Sequence, residues 1–161
     1  MQSISPEIIF RGSYAWEESL PQVTKLTKSP LVLGRGIHTN SLRNKIIIDL
    51  KNQNLSVNSA NLQFDCCYED ISRIKHIILN NNNDSVIAAG GGKVLDSGKY
   101  IAESLNIPSI TVPFSASTCA GWTALSNIYT KDGQFIKDVQ LGACPKILVY
   151  DHKFIQTAPS R

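Results

Sequence analysis

Ser85-Val86-Ile87-Ala88-Ala89-Gly90-Gly91-Gly92-Lys93 passes from a short apolar run straight into three glycines and a cation. An apolar run of this length, without polar alternation, suits a strand covered on both faces, as in a parallel sheet. Beyond it, Val94, Leu95, Gly98, Ile101, Ala102 and Leu105 recur at helical spacing, which predicts a helix over 93–105. A glycine bend between strand and helix is suited to phosphate: the glycines let main-chain N–H groups come close, and the helix start offers unpaired amides and a favourable dipole. Lys93 adds a cation there. Neither generic motif fits in full. A Walker loop would need Gly and Ser or Thr where Ile87 and Val94 stand, and the dinucleotide fingerprint would need Gly at Leu95. The plainer alternative, a flexible turn, would spend conformational entropy on three glycines without a packing return.

Outward from this bend the same alternation repeats. On the N-terminal side the patterns predict a strand over 7–14, a helix over 17–28, a strand over 30–33 broken at Gly34-Arg35-Gly36, a helix over 39–53, an extended segment over 55–64 and a helix over 69–79. The asparagine run 80–83 suits a helix C-terminus and turn. On the C-terminal side, a strand over 109–112 stops at Pro113, two strands over 124–129 and 135–139 flank a turn at Lys131-Asp132-Gly133, and a last strand spans 146–150. The expected fold is α/β: a Rossmann-like parallel sheet flanked by helices, with one antiparallel hairpin.

Two further segments could carry chemistry. Gly34-Arg35-Gly36 is a second glycine turn after a strand, where such a sheet meets the adenosine part of a dinucleotide; Arg35 would suit a 2′-phosphate, or be an ordinary surface arginine. Pro113-Phe114-Ser115-Ala116-Ser117-Thr118-Cys119 gathers hydroxyls after a strand C-terminus, able to bind phosphate, ribose or carboxamide, or to cap a helix. Cys119 has no evident histidine partner for nucleophilic work.

Composition narrows the class. The 161 residues are 42% apolar, enough for one domain with a sizeable core. Sixteen basic and 13 acidic residues give +3, with the lysines scattered instead of striped, which argues against nucleic-acid binding. No segment approaches the roughly 20 apolar residues of a membrane span, and Met1-Gln2-Ser3-Ile4-Ser5-Pro6 does not resemble a secretory leader, so no membrane role and a cytoplasmic location are expected. Cys66, Cys67, Cys119 and Cys144 form neither a CxxC pair nor a disulfide framework, and His38, His76 and His152 lie far apart, so no metal site is read from the residues themselves.

Ala89-Gly90-Gly91-Gly92-Lys93-Val94-Leu95-Asp96-Ser97-Gly98-Lys99 resembles the GGGKxxDxxK signature of the iron-containing alcohol dehydrogenase and dehydroquinate synthase superfamily. Ile110-Thr111-Val112-Pro113 to Thr118, followed by Thr123-Ala124-Leu125-Ser126-Asn127-Ile128-Tyr129-Thr130, is similar to the glycerol dehydrogenase branch, and Ala158-Pro159-Ser160-Arg161 resembles the segment preceding the family's helical second domain. The resemblance implies a dehydroquinate synthase-like N-terminal domain over 1–161 that binds NAD or NADP, with the metal-binding helical domain absent. Gly90, Gly91, Gly92 and Lys93 would hold the pyrophosphate, with Val94 beside them and Asp96 and Lys99 supporting the loop. Phe114, Ser115, Ser117 and Thr118 would lie along the pyrophosphate and nicotinamide, Thr123, Leu125 and Tyr129 would close over the cofactor, and Arg35 falls near the adenosine-binding position. Cys119 stands where the glycerol dehydrogenases carry a substrate-contacting Asp. The family's zinc or iron, which polarises the alcohol oxygen, would be ligated outside this chain. A small alcohol or polyol substrate and a homo-oligomer are expected, with the 161 residues inactive alone. A non-catalytic nucleotide-binding or oligomerisation module, and a relative of glycerol-1-phosphate dehydrogenase or dehydroquinate synthase, remain alternatives.

Overall fold

The computed structural model describes residues 4–157, so Ala158-Pro159-Ser160-Arg161 lies outside the described residues. The order is β1 (Ile8–Gly12), α1 (Ala15–Leu26), β2 (Pro30–Arg35), α2 (Asn40–Asn52), β3 (Asn58–Leu62), α3 (Tyr68–Asn80), β4 (Ser85–Gly90), α4 (Gly92–Ser104), β5 (Ser109–Pro113), β6 (Leu125–Tyr129), β7 (Phe135–Gln140), β8 (Ile147–Asp151) and α5 (His152–Gln156). Six strands form one sheet in the order β1-β8-β5-β4-β2-β3, every pair parallel. β6 and β7 pair antiparallel as a separate hairpin. The α/β expectation therefore holds, hairpin included.

The period of two along each strand explains the continuous apolar runs. Val32, Ile87, Ala89, Ile110 and Val112 face a core with Trp16 and Val23 of α1 and Ile46 and Leu50 of α2. Their neighbours Leu31, Leu33, Val86 and Ala88 face a second core with Ile71, Ile74 and Ile78 of α3 and Leu95 and Ile101 of α4. With helices on both faces, the central strands read as near-continuous apolar runs instead of alternating ones. Gly98 sets the contact of α4 with the sheet, because a Cβ there would come within 2.4 Å of Ala88 Cβ. That close approach fixes where the first turn of α4 meets the tip of β4.

Element ends shift by up to three residues from the sequence reading, and the end of β2 differs for a reason of packing. β2 does not break at Gly34 but continues through it to Arg35, with Gly34 opposite Asn61 of β3. The reason is packing: a Cβ at Gly34 would lie 2.2 Å from Cδ and Nε of Arg43, a buried side chain of α2 that donates to the carbonyls of Arg35 and Gly36 at 3.2 and 2.6 Å. Only Gly36, at φ +68°, makes the turn. Asparagines play the corresponding part after α2, α3 and α4, where Asn54, Asn82 and Asn106 take φ of 62°, 51° and 54°.

Candidate functional site

The connectivity itself creates a crevice. From β2 the chain moves outward to β3 by way of α2 on one face, then returns to β4 by way of α3 on the other. Helices thus diverge above the C-terminal ends of β2 and β4, which is where open α/β sheets bind ligands. A cleft of about 460 Å³ opens there, and Arg35, Gly90, Gly91, Gly92, Lys93, Val94, Asp96, Ser115, Ser117, Thr118 and Tyr129 all line it, with Thr39 and Asn127.

At its floor, β4 ends at Gly90, whose carbonyl accepts from the Phe114 amide at 3.0 Å. The amides of Val94 and Leu95 turn back to the Gly91 carbonyl at 3.0 and 3.1 Å. Those of Gly92 and Lys93, first in the helix, have no intrahelical acceptor, and no side chain caps the helix. A Cβ at Gly91 would meet nothing within 4 Å, while one at Gly92 would approach Thr118 Oγ1 at 3.1 Å. The elbow is thus bare on one side and overhung by a hydroxyl on the other. Ser115 and Ser117 hydroxyls pair at 2.7 Å beside it. The segment does not start a helix, so the capping alternative for these hydroxyls fails: residues 114–124 form a loop crossing to the hairpin.

Lys93 does not stand as an unopposed cation. Its ammonium pairs with Asp65 and lies 5.0 Å from the ring centroid of Tyr129. Arg35 Nη1 lies 3.8 Å from the other oxygen of the same carboxylate. Asp65, 3% exposed, also accepts from the Cys66 amide at 2.9 Å. The sequence reading did not single out Asp65, Thr39 or Asn127; an acid just before α3 reads as an ordinary helix-start residue.

Four residues expected at the cofactor site, Lys99, Thr123, Leu125 and Phe114, do not line this cleft. Lys99, 2% exposed, pairs with Asp96 at 3.1 Å and donates to the Thr123 carbonyl at 3.0 Å, the Thr123 hydroxyl at 3.3 Å and the Leu125 carbonyl. Thr123 and Leu125 are thereby anchored to α4, and the Asp96–Lys99 pair supports the hairpin root instead of the glycine loop. Burial pushes the Asp96 carboxyl up, an effect opposed by Lys99, and the same burial pushes the Lys99 ammonium down. Phe114 is buried edge-on against Phe154, 5.6 Å between centroids.

Exposed Cys119 lies in an adjoining pocket of about 450 Å³ with Arg11, Ala116, Trp122 and Tyr150, and this pocket shares Ser117 and Thr118 with the cleft. The other thiols are placed differently: Cys66 and Cys67 are buried, and burial pushes Cys66 up to about 11. Asp151 is structural, accepting from the amides of Trp16, Lys153 and Phe154. Among the described residues, no three His, Cys, Asp or Glu side chains are grouped to hold a metal ion.

The pattern of the family described as iron-containing alcohol dehydrogenase matches residues 6–152. An uncharacterised oxidoreductase of Synechocystis sp. is 35% identical over 160 residues, which are 99% of this chain and 41% of that protein. Glycerol dehydrogenase 1 of Schizosaccharomyces pombe is 34% identical over 158 residues, 98% of this chain and 35% of that one. The crystal structure of glycerol dehydrogenase from Schizosaccharomyces pombe superposes with a TM-score of 0.84 at 30% identity, covering 98% of this chain and 40% of the other. The chain thus spans well under half the length of these relatives. With a parallel sheet, a bare glycine elbow at its switch point and a family match along almost all of its length, the chain belongs to the iron-containing alcohol dehydrogenase family.

Proposed function

We propose that residues 1–161 form the dinucleotide-binding domain of a metal-dependent, NAD(P)-linked alcohol or polyol oxidoreductase of the glycerol dehydrogenase type. The observation that carries this reading is the Gly90-Gly91-Gly92 elbow, with two helix-start amides lacking intrahelical acceptors and a Cβ-sized void at Gly91. Those amides would hold the pyrophosphate, the hydroxyls of Ser115, Ser117 and Thr118 would bind its oxygens or the neighbouring ribose, and Arg35 and Thr39 would meet the adenosine end. Bound there, the nicotinamide supplies hydride transfer. The pocket with Cys119, Trp122 and Arg11 adjoins that site and would receive the alcohol. Among the described residues no three His, Cys, Asp or Glu side chains make a zinc or iron site, so the metal would be ligated by other residues of the protein.

Calorimetric titration with NAD+, NADP+ and their reduced forms is the direct test: at least one binds with one-to-one stoichiometry, and no heat from any of the four would overturn the proposal.

We place the protein in the cytoplasm as a homo-oligomer. Its four free cysteines suit a reducing compartment, and no helix of the described residues is long and apolar enough to cross a membrane. β1 is an edge strand whose Ile8 and Ile9 are 37% and 43% exposed, an apolar edge of the kind that invites pairing. Sedimentation velocity should show mass rising with concentration; a monomer throughout a wide concentration range would refute the oligomer.

A further inference from the structure

Around the cleft, the charges do not simply add to a positive funnel. Arg35 at the end of β2 and Lys93 on the first turn of α4 come from different elements, yet both converge on the carboxylate of Asp65, in the β3–α3 connection. The side chains of Arg35 and Lys93 are 42% and 43% exposed and line the cleft, while that of Asp65 is 4% exposed and does not. The carboxylate is also held by the main chain, Asp65 Oδ1 accepting from the Cys66 amide at 2.9 Å, while the turn beneath it closes through the Asp65 carbonyl, which accepts from the Cys67 amide at 2.8 Å. Buried to this extent, the carboxylate is little screened by water.

We propose that Asp65 is a positioning residue that sets dinucleotide specificity: from behind the wall it restrains the charged ends of Arg35 and Lys93 and offsets one of their two positive charges. This rests on the reading of the cleft as a dinucleotide site. The three side chains together carry +1. That net charge meets the pyrophosphate of NAD+, but leaves Arg35 already engaged when a 2′-phosphate, with about −1.5 to −2 of further charge, arrives beside it. Arg35 therefore does not by its presence make this an NADP+ site. Asp65 restrains it, and the cleft favours the 2′-hydroxyl.

Asp65→Asn removes the charge and keeps an oxygen for the Cys66 amide. In the full 161-residue chain, calorimetry with NAD+ and NADP+ should show the ratio of NADP+ to NAD+ affinity rising by about fivefold or more, with NAD+ affinity changing by less than about threefold. A ratio that stays put overturns the proposal, including the case where both affinities fall together, which is what a merely structural aspartate would give. Arg35→Gln supplies an arm that leaves the buried carboxylate untouched, since Arg35 is exposed. With Asp65 in place, this variant should lower NADP+ affinity by less than about threefold, whereas a loss of about tenfold or more would reveal an unopposed arginine and overturn the proposal even if Asp65→Asn does not fold. Failure of the unmodified chain to bind either dinucleotide is a different result, which removes the dinucleotide reading and this one with it.

Discussion

Gly91→Val should leave the fold standing and weaken dinucleotide binding about a hundredfold. A Cβ at Gly91 meets no protein atom within 4 Å, and the residue's φ of −83° and ψ of −178° lie in the extended region that any residue adopts. The protein therefore offers no steric objection to a Cβ here. A diphosphate seated on the Gly92 and Lys93 amides would object, because the isopropyl group would occupy the approach to them. Two charge-assisted hydrogen bonds lost at roughly 1.5 kcal/mol each correspond to about a hundredfold weaker binding. The check pairs calorimetry with thermal unfolding: an unchanged melting temperature with lost affinity is the expected combination. Undiminished affinity would show that the void at Gly91 is open to solvent alone.

Lys99→Met should cost the fold about 3–5 kcal/mol, the usual penalty for removing one partner of a buried ion pair. The variant strands the Asp96 carboxylate and leaves the carbonyls of Thr123 and Leu125 without their ammonium donor, so the root of the hairpin loosens from α4. Its pH dependence has a definite sign. Burial already holds the Asp96 carboxyl above its ordinary range, and Lys99 is the largest influence opposing that rise. Without Lys99 the folded state binds the Asp96 proton still more readily than the unfolded chain does. Stability conferred by such a group falls as pH rises through its titration and is regained as pH falls. The deficit of Lys99→Met, read from urea unfolding, should accordingly be smaller near about pH 5 than near about pH 7. A deficit that grows on acidification would contradict this account of the pair.

Local signals made the candidate site legible to different degrees. Gly90 to Lys93 stood out because glycine runs between an apolar strand and an amphipathic helix have few other uses, and the hydroxyls of Ser115, Ser117 and Thr118 follow a strand end, where ligands gather. The structure brings both segments, with Arg35 and Tyr129, to one cleft. Gly34 misled for a related reason: a glycine after an apolar run reads as a turn, but this one makes room for Arg43, nine positions further along the chain, and no local signal marks that contact. Lys99, Thr123, Leu125 and Phe114 were expected at the cofactor site, yet none of them lines this cleft, Lys99 and Phe114 being buried and Thr123 and Leu125 half-buried. The depth of a side chain below a surface depends on packing from other elements, here the hairpin and α5.

What the residues determined alone was the alternation of buried strands and amphipathic helices, and with it a parallel sheet covered on both faces. Hydrophobic periodicity and glycine, proline and asparagine punctuation are local properties, so they survive without coordinates. What tertiary structure decided was the ordering of strands that opens a crevice between β2 and β4, and the meeting there of Arg35, Asp65 and Lys93 from a strand, a connection and a helix far apart in the chain. Electrostatic coupling depends on distance through space, and a carboxylate 28 residues from its lysine leaves no trace of that meeting in the order of the chain.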